Sequence, residues 1–200
     1  MSGLRIDRQQ CDGCGLCGQC VDSCPQGAIA LEQEAEKNGL TGWKGVWVFV
    51  QHREGLPLPV SLELLSKGRE LAGRLGEGLS AVLLGGDRGT VEEVSAYGPD
   101  RVYHCADPYL ANNEERITAR LLAGLVRREK PAILLFGATG LGRSLAPRLA
   151  ARLGTGLTAD CTSLEINAET GLLEQTRPAF GGNLMATILC PEHRPQMATV

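Results

Sequence analysis

The sequence has little of what marks several protein classes. It contains three histidines, His52, His104 and His193, and none belongs to a Ser–His–carboxylate or Cys–His constellation, so we assign no catalytic residue. No apolar run reaches the roughly 18 residues that a membrane-spanning helix needs, and the first residues do not resemble a signal peptide. The net charge is −3 and no stripe of Lys and Arg is present, which excludes the usual signature of a nucleic-acid-binding protein. We therefore expect a cytoplasmic protein with no membrane insertion and no nucleic-acid partner.

What is present points to an ordinary globular chain with one unusual segment. The 200 residues are 43% hydrophobic and 22% charged, which suits one good core or a moderate domain with a small appendage. The eight cysteines are spread unevenly, with five between Cys11 and Cys24. Five thiols in one short glycine-rich stretch indicate a metal site rather than a disulfide framework.

The spacing of these cysteines indicates an iron–sulfur cluster. Cys14-x2-Cys17-x2-Cys20-x3-Cys24-Pro25 fits the run found in bacterial ferredoxins without a gap. Cysteines at every third position can wrap several thiolates around one cubane, and intervening glycines let the backbone approach its sulfides. We predict that residues 1–42 form a ferredoxin-like module with one [4Fe–4S] cluster, in which residues 28–31 form a strand covering the cluster.

Two registers of ligands remain open. The segment from Cys11 to Cys17 also resembles the usual start of a ferredoxin motif. If Cys11 is the first ligand, residues 18–20 are an insertion. Both registers share Cys14, Cys17 and Cys24, so either Cys11 or Cys20 is the spare thiol. A structural zinc site with four cysteines is the alternative to a cluster, although zinc ribbons usually divide their ligands into two separated pairs.

Apolar runs alternate with helix-patterned segments from residue 43 onward. This alternation predicts an α/β domain over 43–200, with a mostly parallel sheet and helices on both faces, as in Rossmann-like and adenine-nucleotide-hydrolase-like folds. We expect strands at 45–51, 80–84, 101–105 and 133–136, and helices at 61–75, 91–96, 117–126 and from 143 to 153. Ser61 is the expected N-cap of the first helix, and glycines 76 and 154 are expected helix ends.

The pattern changes after residue 156. Residues 161–166, 172–176 and 184–190 read as strands with no helices between them, and we expect an antiparallel extension of the sheet. The chain stops at Val200 in a segment with the pattern of a strand, so we expect this sequence to be part of a longer protein.

The loop between strand 133–136 and its helix contains three glycines, Gly137, Gly140 and Gly142. It lacks the Lys-Ser/Thr of a phosphate-binding P-loop, and its spacing differs from the dinucleotide fingerprint G-x-G-x-x-G. We interpret it as a tight strand-to-helix turn rather than a nucleotide site.

Four segments together resemble one protein family. They are VWVFVQHREG (46–55), CADPYLANNEE (105–115), GRSLAPRLAARLGTGLTADC (142–161) and TRPAFGGNLMATILCPEHRPQMATV (176–200). Residues 45–200 are similar to the amino-terminal part of the α subunit of electron transfer flavoproteins. With a ferredoxin-like module in front, the chain resembles the anaerobic, often electron-bifurcating members.

The resemblance implies a cofactor and partners. Members of this family form a heterodimer with a β subunit, and FAD lies mainly in a carboxy-terminal α-subunit domain, which would follow Val200, and in the β subunit. The implied function is the transfer of single electrons between the [4Fe–4S] cluster and flavin. The implied partners are a flavin dehydrogenase acting on an acyl-CoA or a hydroxyacid, and ferredoxin or another low-potential carrier.

The resemblance also suggests which residues face the flavin. Arg177, Gly181, Gly182 and Asn183 lie in a stretch that would face the partner's flavin, because two glycines allow a planar ring to approach and a guanidinium stabilises negative charge. A simple hairpin turn with a surface arginine explains this stretch equally well. Arg143 is a further candidate, which could instead contact a partner or a carboxylate at the end of the sheet.

A hypothesis from another class competes with electron transfer. The chain could be an adenine-nucleotide-binding α/β enzyme with a structural zinc module. Such an enzyme needs a phosphate-gripping Ser-Gly-Gly or Gly-Lys-Ser/Thr loop after a strand, and neither occurs here.

Overall fold

A computed structural model describes residues 3–6, 29–32, 40–107, 110, 115–182 and 184–200. The chain divides into two compact units, Met1–Gly39 and Leu40–Val200. In the first unit, strand β1 (Gly3–Ile6) pairs antiparallel with β2 (Ile29–Glu32), and Ile6 lies opposite Ile29. The strand expected at 28–31 is therefore present. The five clustered cysteines, Cys11, Cys14, Cys17, Cys20 and Cys24, lie outside the described residues.

The second unit is built on a six-stranded parallel sheet. Its strands are β3 (Val46–Val50), β6 (Leu79–Leu84), β7 (Arg101–Cys105), β8 (Ile133–Phe136), β9 (Leu157–Thr158) and β13 (Gln196–Thr199). Their spatial order is β7-β6-β3-β8-β13-β9. The two central strands, β3 and β8, consist of apolar residues that are buried along their whole length, as a sheet covered on both faces requires.

Helices cover both faces of this sheet. They are α1 (Pro59–Leu75), α2 (Arg88–Ala96), α3 (Glu115–Glu129) and α4 (Gly140–Leu153). Alternate residues of each strand enter two separate hydrophobic clusters, one containing the buried apolar residues of α1 and α2 and the other those of α3 and α4. The predicted α/β class with a mostly parallel, doubly covered sheet is confirmed.

The helix ends explain where the sequence prediction needed correction. Helix α1 begins at Pro59, a residue suited to the first turn because its ring fixes φ and it needs no N–H partner there. Ser61 is therefore inside the helix and is not its N-cap. Helix α4 begins at Gly140, three residues before Arg143, because the Thr139 hydroxyl accepts the Gly142 N–H at 3.2 Å and caps the first turn. Gly76 and Gly154 do end α1 and α4 in left-handed conformations.

The three strands between residues 163 and 188 do not extend the parallel sheet. Strands β10 (Ser163–Ile166), β11 (Leu173–Ala179) and β12 (Leu184–Ile188) form a separate three-stranded antiparallel sheet. Its inner residues pack into the cluster of α1 and α2. The chain then returns to the parallel sheet, where β13 inserts between β8 and β9. A further short hairpin joins β4 (His52–Arg53) to β5 (Leu56–Pro57).

Among the residues that the structure describes, none of the helices is both long and apolar enough to cross a bilayer.

Candidate functional site

A crevice opens at the carboxyl ends of β3 and β8, where the strand order of the sheet changes direction. The chain leaves β3 toward β6 on one side, and β8 lies on the other. In open α/β sheets this is the usual position of a ligand. The crevice has a volume of about 380 Å³ and is lined by the turn after β3 and by the first residues of α4, including Gln51, His52 and Thr139.

The side chain of Gln51 closes the glycine loop from inside. It is 1% exposed, and its Nε2 donates to the Gly137 carbonyl at 2.9 Å. The Thr139 hydroxyl donates to its Oε1. The Gln51 backbone N–H donates to the Ser61 hydroxyl at 2.9 Å, which ties the end of β3 to α1. The polar side-chain atoms of Gln51 and Thr139 are thus hydrogen-bonded to other groups of the protein.

Gly142 shows why the loop needs glycine. A Cβ at this position would lie 1.9 Å from the Gly137 carbonyl oxygen and 2.9 Å from Gln51 Nε2. The glycine therefore permits the first turn of α4 to lie directly on the end of β8. The geometry agrees with the interpretation of a tight turn and gives no support to an adenine-nucleotide enzyme.

The two histidines near this crevice have structural hydrogen bonds. His52 is buried, and its Nε2 lies 3.1 Å from the Leu84 carbonyl oxygen, while His104 Nε2 lies 3.2 Å from that of Gly85. His52 Nδ1 has no hydrogen-bond partner among the described residues. Neither contact forms a nucleophile–base pair.

The stretch around Arg177 lies in the antiparallel sheet, on the hairpin between β11 and β12. The turn Phe180–Gly182 contains two left-handed glycines, with φ of 72° at Gly181 and 90° at Gly182, and both are exposed. Leu184 and Met185, which follow it, are 59% and 57% exposed. Asn183 lies outside the described residues. This hairpin presents a glycine turn beside exposed apolar residues.

The guanidinium of Arg177 makes a local hydrogen bond but no ion pair among the described residues. It is half-buried, its Nε donates to the neighbouring Pro178 carbonyl at 3.4 Å, and no carboxylate of the described residues lies within ion-pair distance. On the ladder it lies opposite Ala186 of β12. Its positive charge acts on the buried Cys161 thiol nearby.

Arg143 is held by a carboxylate at the end of the sheet, one of the two alternatives that the sequence left open. Its Nε donates to Asp160 at 2.9 Å. Burial raises the pKa of the adjoining Cys161 to about 11, with Arg177 lowering it and Asp160 raising it further. Both arginines thus act on neighbouring residues, Arg143 by an ion pair with Asp160 and Arg177 by its charge on Cys161. Cys161 is a neutral thiol at pH 7, and of the other scattered cysteines Cys105 and Cys190 are only half-buried.

Sequence reasoning missed the polar set that organises the crevice, namely Gln51, Ser61 and Thr139. The signal was present in part, because Gln51 is a polar residue at the end of a fully apolar strand. Its contact with Thr139 was not identifiable, since Thr139 is 88 residues away along the chain. Within the described part of the chain, no three His, Cys, Asp or Glu side chains are placed to hold a metal ion.

Comparison with known proteins identifies a match over most of the second unit. Residues 46–200 match the family model described as "Electron transfer flavoprotein domain". The chain is 53% identical over 159 residues to the electron transfer flavoprotein subunit alpha of Clostridium acetobutylicum, covering 79% of this chain and 47% of that protein. It is 51% identical over 161 residues to Protein FixB of Clostridium saccharobutylicum, covering 80% and 48%.

A third relative is similar over a longer stretch. The subunit LctC of a lactate dehydrogenase (NAD(+),ferredoxin) from Acetobacterium woodii is 43% identical over 190 residues, covering 94% of this chain and 45% of the relative. An alignment of that extent reaches into the cysteine segment. The chain spans about half the length of the curated relatives it matches.

Proposed function

Because the chain belongs to the electron transfer flavoprotein domain family, we propose that it transfers single electrons as part of an α subunit. The proposed route joins one [4Fe–4S] cluster in residues 1–42 to a flavin bound together with a β subunit. The cofactors supply the redox chemistry, and the protein sets their positions and potentials. The observation that carries this proposal is the family match over 46–200, preceded by a cysteine run with the spacing of a cluster motif.

The first unit fits a cluster in two respects. Its donor set is five thiols between Cys11 and Cys24, which is the ligand chemistry of a cubane. The ladder of β1 and β2 brings Ile6 opposite Ile29, so the two ends of the cysteine segment are held side by side. The alignment with LctC, whose full name includes ferredoxin, extends over this segment. These observations support the cluster, with either Cys11 or Cys20 as the spare thiol.

The second unit fits a contact with flavin rather than a nucleotide cradle. Gln51 fills the glycine loop, so the loop's polar groups are not left open for a phosphate. The hairpin residues Arg177, Gly181 and Gly182, together with Asn183, are the proposed surface toward the flavin of the heterodimer. Arg143, whose Nε donates to Asp160, is proposed as a further member of this surface. The donor dehydrogenase is proposed to act on an acyl-CoA or a hydroxyacid. The names of two relatives suggest these substrates: LctC belongs to a lactate dehydrogenase, and the acryloyl-CoA reductase electron transfer subunit beta of Anaerotignum propionicum is 41% identical to this chain over 184 residues.

The cluster is tested on protein purified without oxygen. We expect a broad absorbance near about 400 nm that bleaches on reduction, with about four irons and four acid-labile sulfides per chain. Cys14→Ser and Cys24→Ser are expected to lose the iron, and Cys190→Ser, in the other unit, is the matched control that retains it. Of Cys11→Ser and Cys20→Ser, one loses the cluster and the other keeps it. One bound zinc and no colour would contradict the proposal.

The flavin contact is tested by co-purification with a β subunit. We expect FAD in the complex, and Arg177→Gln is expected to shift the flavin's reduction potential downward because a positive charge near the reduced ring is lost. Arg148→Gln, which changes an exposed arginine of the same unit, is the control and is expected to leave the potential unchanged. A potential unchanged in Arg177→Gln would remove this residue from the proposed surface.

A further inference from the structure

A groove on the outer surface of α3 and α4 is lined by arginines. Arg116, Ile117, Arg120 and Leu121 of α3 and Arg152 of α4 surround a space of about 520 Å³. The three arginines are exposed, Ile117 is half-buried, and Leu121 is 44% exposed. We refer to these five residues as the arginine groove.

The charge of these two helices is strongly one-sided. Together α3 and α4 contain seven arginines and two glutamates, in a chain whose net charge is −3. Both glutamates are already engaged, since Glu115 contacts Arg148 at 3.6 Å and Glu129 contacts Arg128 at 2.8 Å. In the described part of the chain, no carboxylate lies within ion-pair distance of the three arginines of the groove.

The arrangement is unfavourable for the isolated chain. Arg116 and Arg120 are four residues apart on one helix face, where like charges repel each other. Arg148 and Arg152 have the same spacing on α4. A partner that brings carboxylates would relieve this repulsion, which no carboxylate of the described residues offsets at Arg116, Arg120 or Arg152.

We propose that the arginine groove is the docking surface for an acidic electron-carrier protein. This inference rests on the proposed electron-transfer function and names a partner for it. An exposed leucine surrounded by guanidinium groups has the composition of a protein interface, with an apolar centre and arginines that pair with carboxylates in planar, two-point contacts. A polyanion such as DNA or an anionic membrane fits less well, because the groove has an exposed leucine among its arginines and the sequence has no extended stripe of Lys and Arg.

The test uses the full chain and a purified ferredoxin chosen for a net negative charge at neutral pH. Binding is measured by titration calorimetry at low and moderate salt, for the wild type and for Arg116→Gln/Arg120→Gln/Arg152→Gln. We expect the triple variant to weaken binding by about tenfold or more, with a smaller salt dependence. The matched control is Lys67→Gln/Arg74→Gln/Arg88→Gln on α1 and α2, which changes the net charge equally and is expected to bind within about twofold of the wild type.

Several outcomes would overturn the docking proposal. They are no ferredoxin binding by the wild type, equal weakening in both triple variants, and groove-dependent binding only to a short DNA duplex, to phosphatidylserine vesicles or to a second copy of the chain. The absorbance and iron content of each protein are recorded in parallel. A chain that binds ferredoxin through the groove but holds no cluster would overturn the electron route and leave the docking surface intact.

Discussion

The two faces of the parallel sheet are covered in different ways. On one face, α1 and α2 carry four basic and four acidic residues, and each of the four basic side chains is ion-paired, as in Arg74–Glu70 and Arg88–Glu92. The three-stranded sheet packs against the same core. On the other face, α3 and α4 have an excess of arginine and no second layer among the described residues. Among the described residues, the charges of the first face balance each other and those of the second do not.

This contrast indicates how one domain separates stability from recognition. Ion pairs at i,i+4 spacing add little energy, but they leave no unpaired charge on the surface. A face with repelling arginines costs stability, and a partner that supplies the opposite charge offsets that cost. The variants below compare the two faces, beginning with the largest expected effect.

Gly142→Ala in α4 and Gly68→Ala in α1 compare how tightly each helix approaches the sheet. The Cβ at position 142 would lie 1.9 Å from a backbone carbonyl that cannot move, and the Cβ at 68 would lie 2.8 Å from the flexible end of Leu79. We expect a loss of more than about 3 kcal/mol in the free energy of unfolding for Gly142→Ala and about 1–2 kcal/mol for Gly68→Ala. Urea unfolding measures both.

Gly124→Ala and Gly73→Ala are the controls for this pair. Nothing lies within 4 Å of a Cβ at either position, in α3 and α1 respectively. Each is expected to gain about 0.5–1 kcal/mol, because alanine is the better helix former. If Gly142→Ala unfolds at the same urea concentration as the wild type, the close contact of α4 with the end of β8 is wrong.

Gln51→Leu tests the residue that links the two faces, since its backbone contacts Ser61 of α1 and its side chain contacts the start of α4. The substitution leaves the Gly137 carbonyl and the Thr139 hydroxyl without their partner. We expect a loss of about 2–3 kcal/mol in urea unfolding. Adding Thr139→Val to Gln51→Leu should then cost less than Thr139→Val alone, and strict additivity of the two would show that the contact contributes nothing.

Acid should destabilise the first face more than the second. A hydrogen bond from Arg69 lowers the pKa of Asp100, and the Thr90 backbone N–H lowers the pKa of Asp87 at the start of α2. Because both pKa values are lower in the folded state, their stabilising effect is present above the usual aspartate pKa of about 3.9 and is lost as pH falls through the folded value. Asp87→Asn/Asp100→Asn should flatten the fall in melting temperature below about pH 5. An unchanged acid profile would contradict this assignment.

The smallest expected effect is a change in the free energy of unfolding that has opposite sign for charge-removing variants on the two faces. Removing charge by Arg116→Gln/Arg120→Gln should raise the free energy of unfolding by about 0.2–0.5 kcal/mol, because one repelling pair disappears. Arg74→Gln/Arg88→Gln should lower it slightly, because each loses an ion pair. Thermal unfolding at low salt measures both changes, and added salt should shrink them together. The same sign for both variants would mean that the charge on α3 is compensated within the chain.

Much of this fold is predictable because its signals are local. The alternation of apolar runs and helical patterns locates β3, β6, β7 and β8 within a residue or two, and left-handed glycines end α1 and α4 as expected. What the sequence does not reveal depends on distant contacts. The start of α4 is fixed by Thr139 together with Gln51, and the antiparallel strands form their own sheet because their inner residues pack against α1 rather than beside an edge strand.

The candidate site also has parts that the sequence predicts and parts that only the packing of the fold brings together. The cysteine run and the Arg177–Gly182 hairpin are each contiguous in the sequence, so the residue pattern alone identifies both as candidates. It does not identify the arginine groove, because the members of the groove come from two helices and only their packing brings Arg152 beside Arg116 and Arg120. The ion pair of Arg143 with Asp160 likewise links α4 to a turn 17 residues later.

The position of β13 has a consequence for when the domain can fold during its synthesis. Strand β9 pairs with β13 and with no other strand among the described residues, and the Thr155 hydroxyl donates to the Pro195 carbonyl at 2.8 Å. While a ribosome is still synthesising β10 to β12, residues 157–158 therefore lack the strand they pair with, and the edge of β8 that β13 later covers is unpaired. The nascent chain must wait for residues 196–199 before its sheet can close, and that interval is when chaperones or premature association with another chain would act on it.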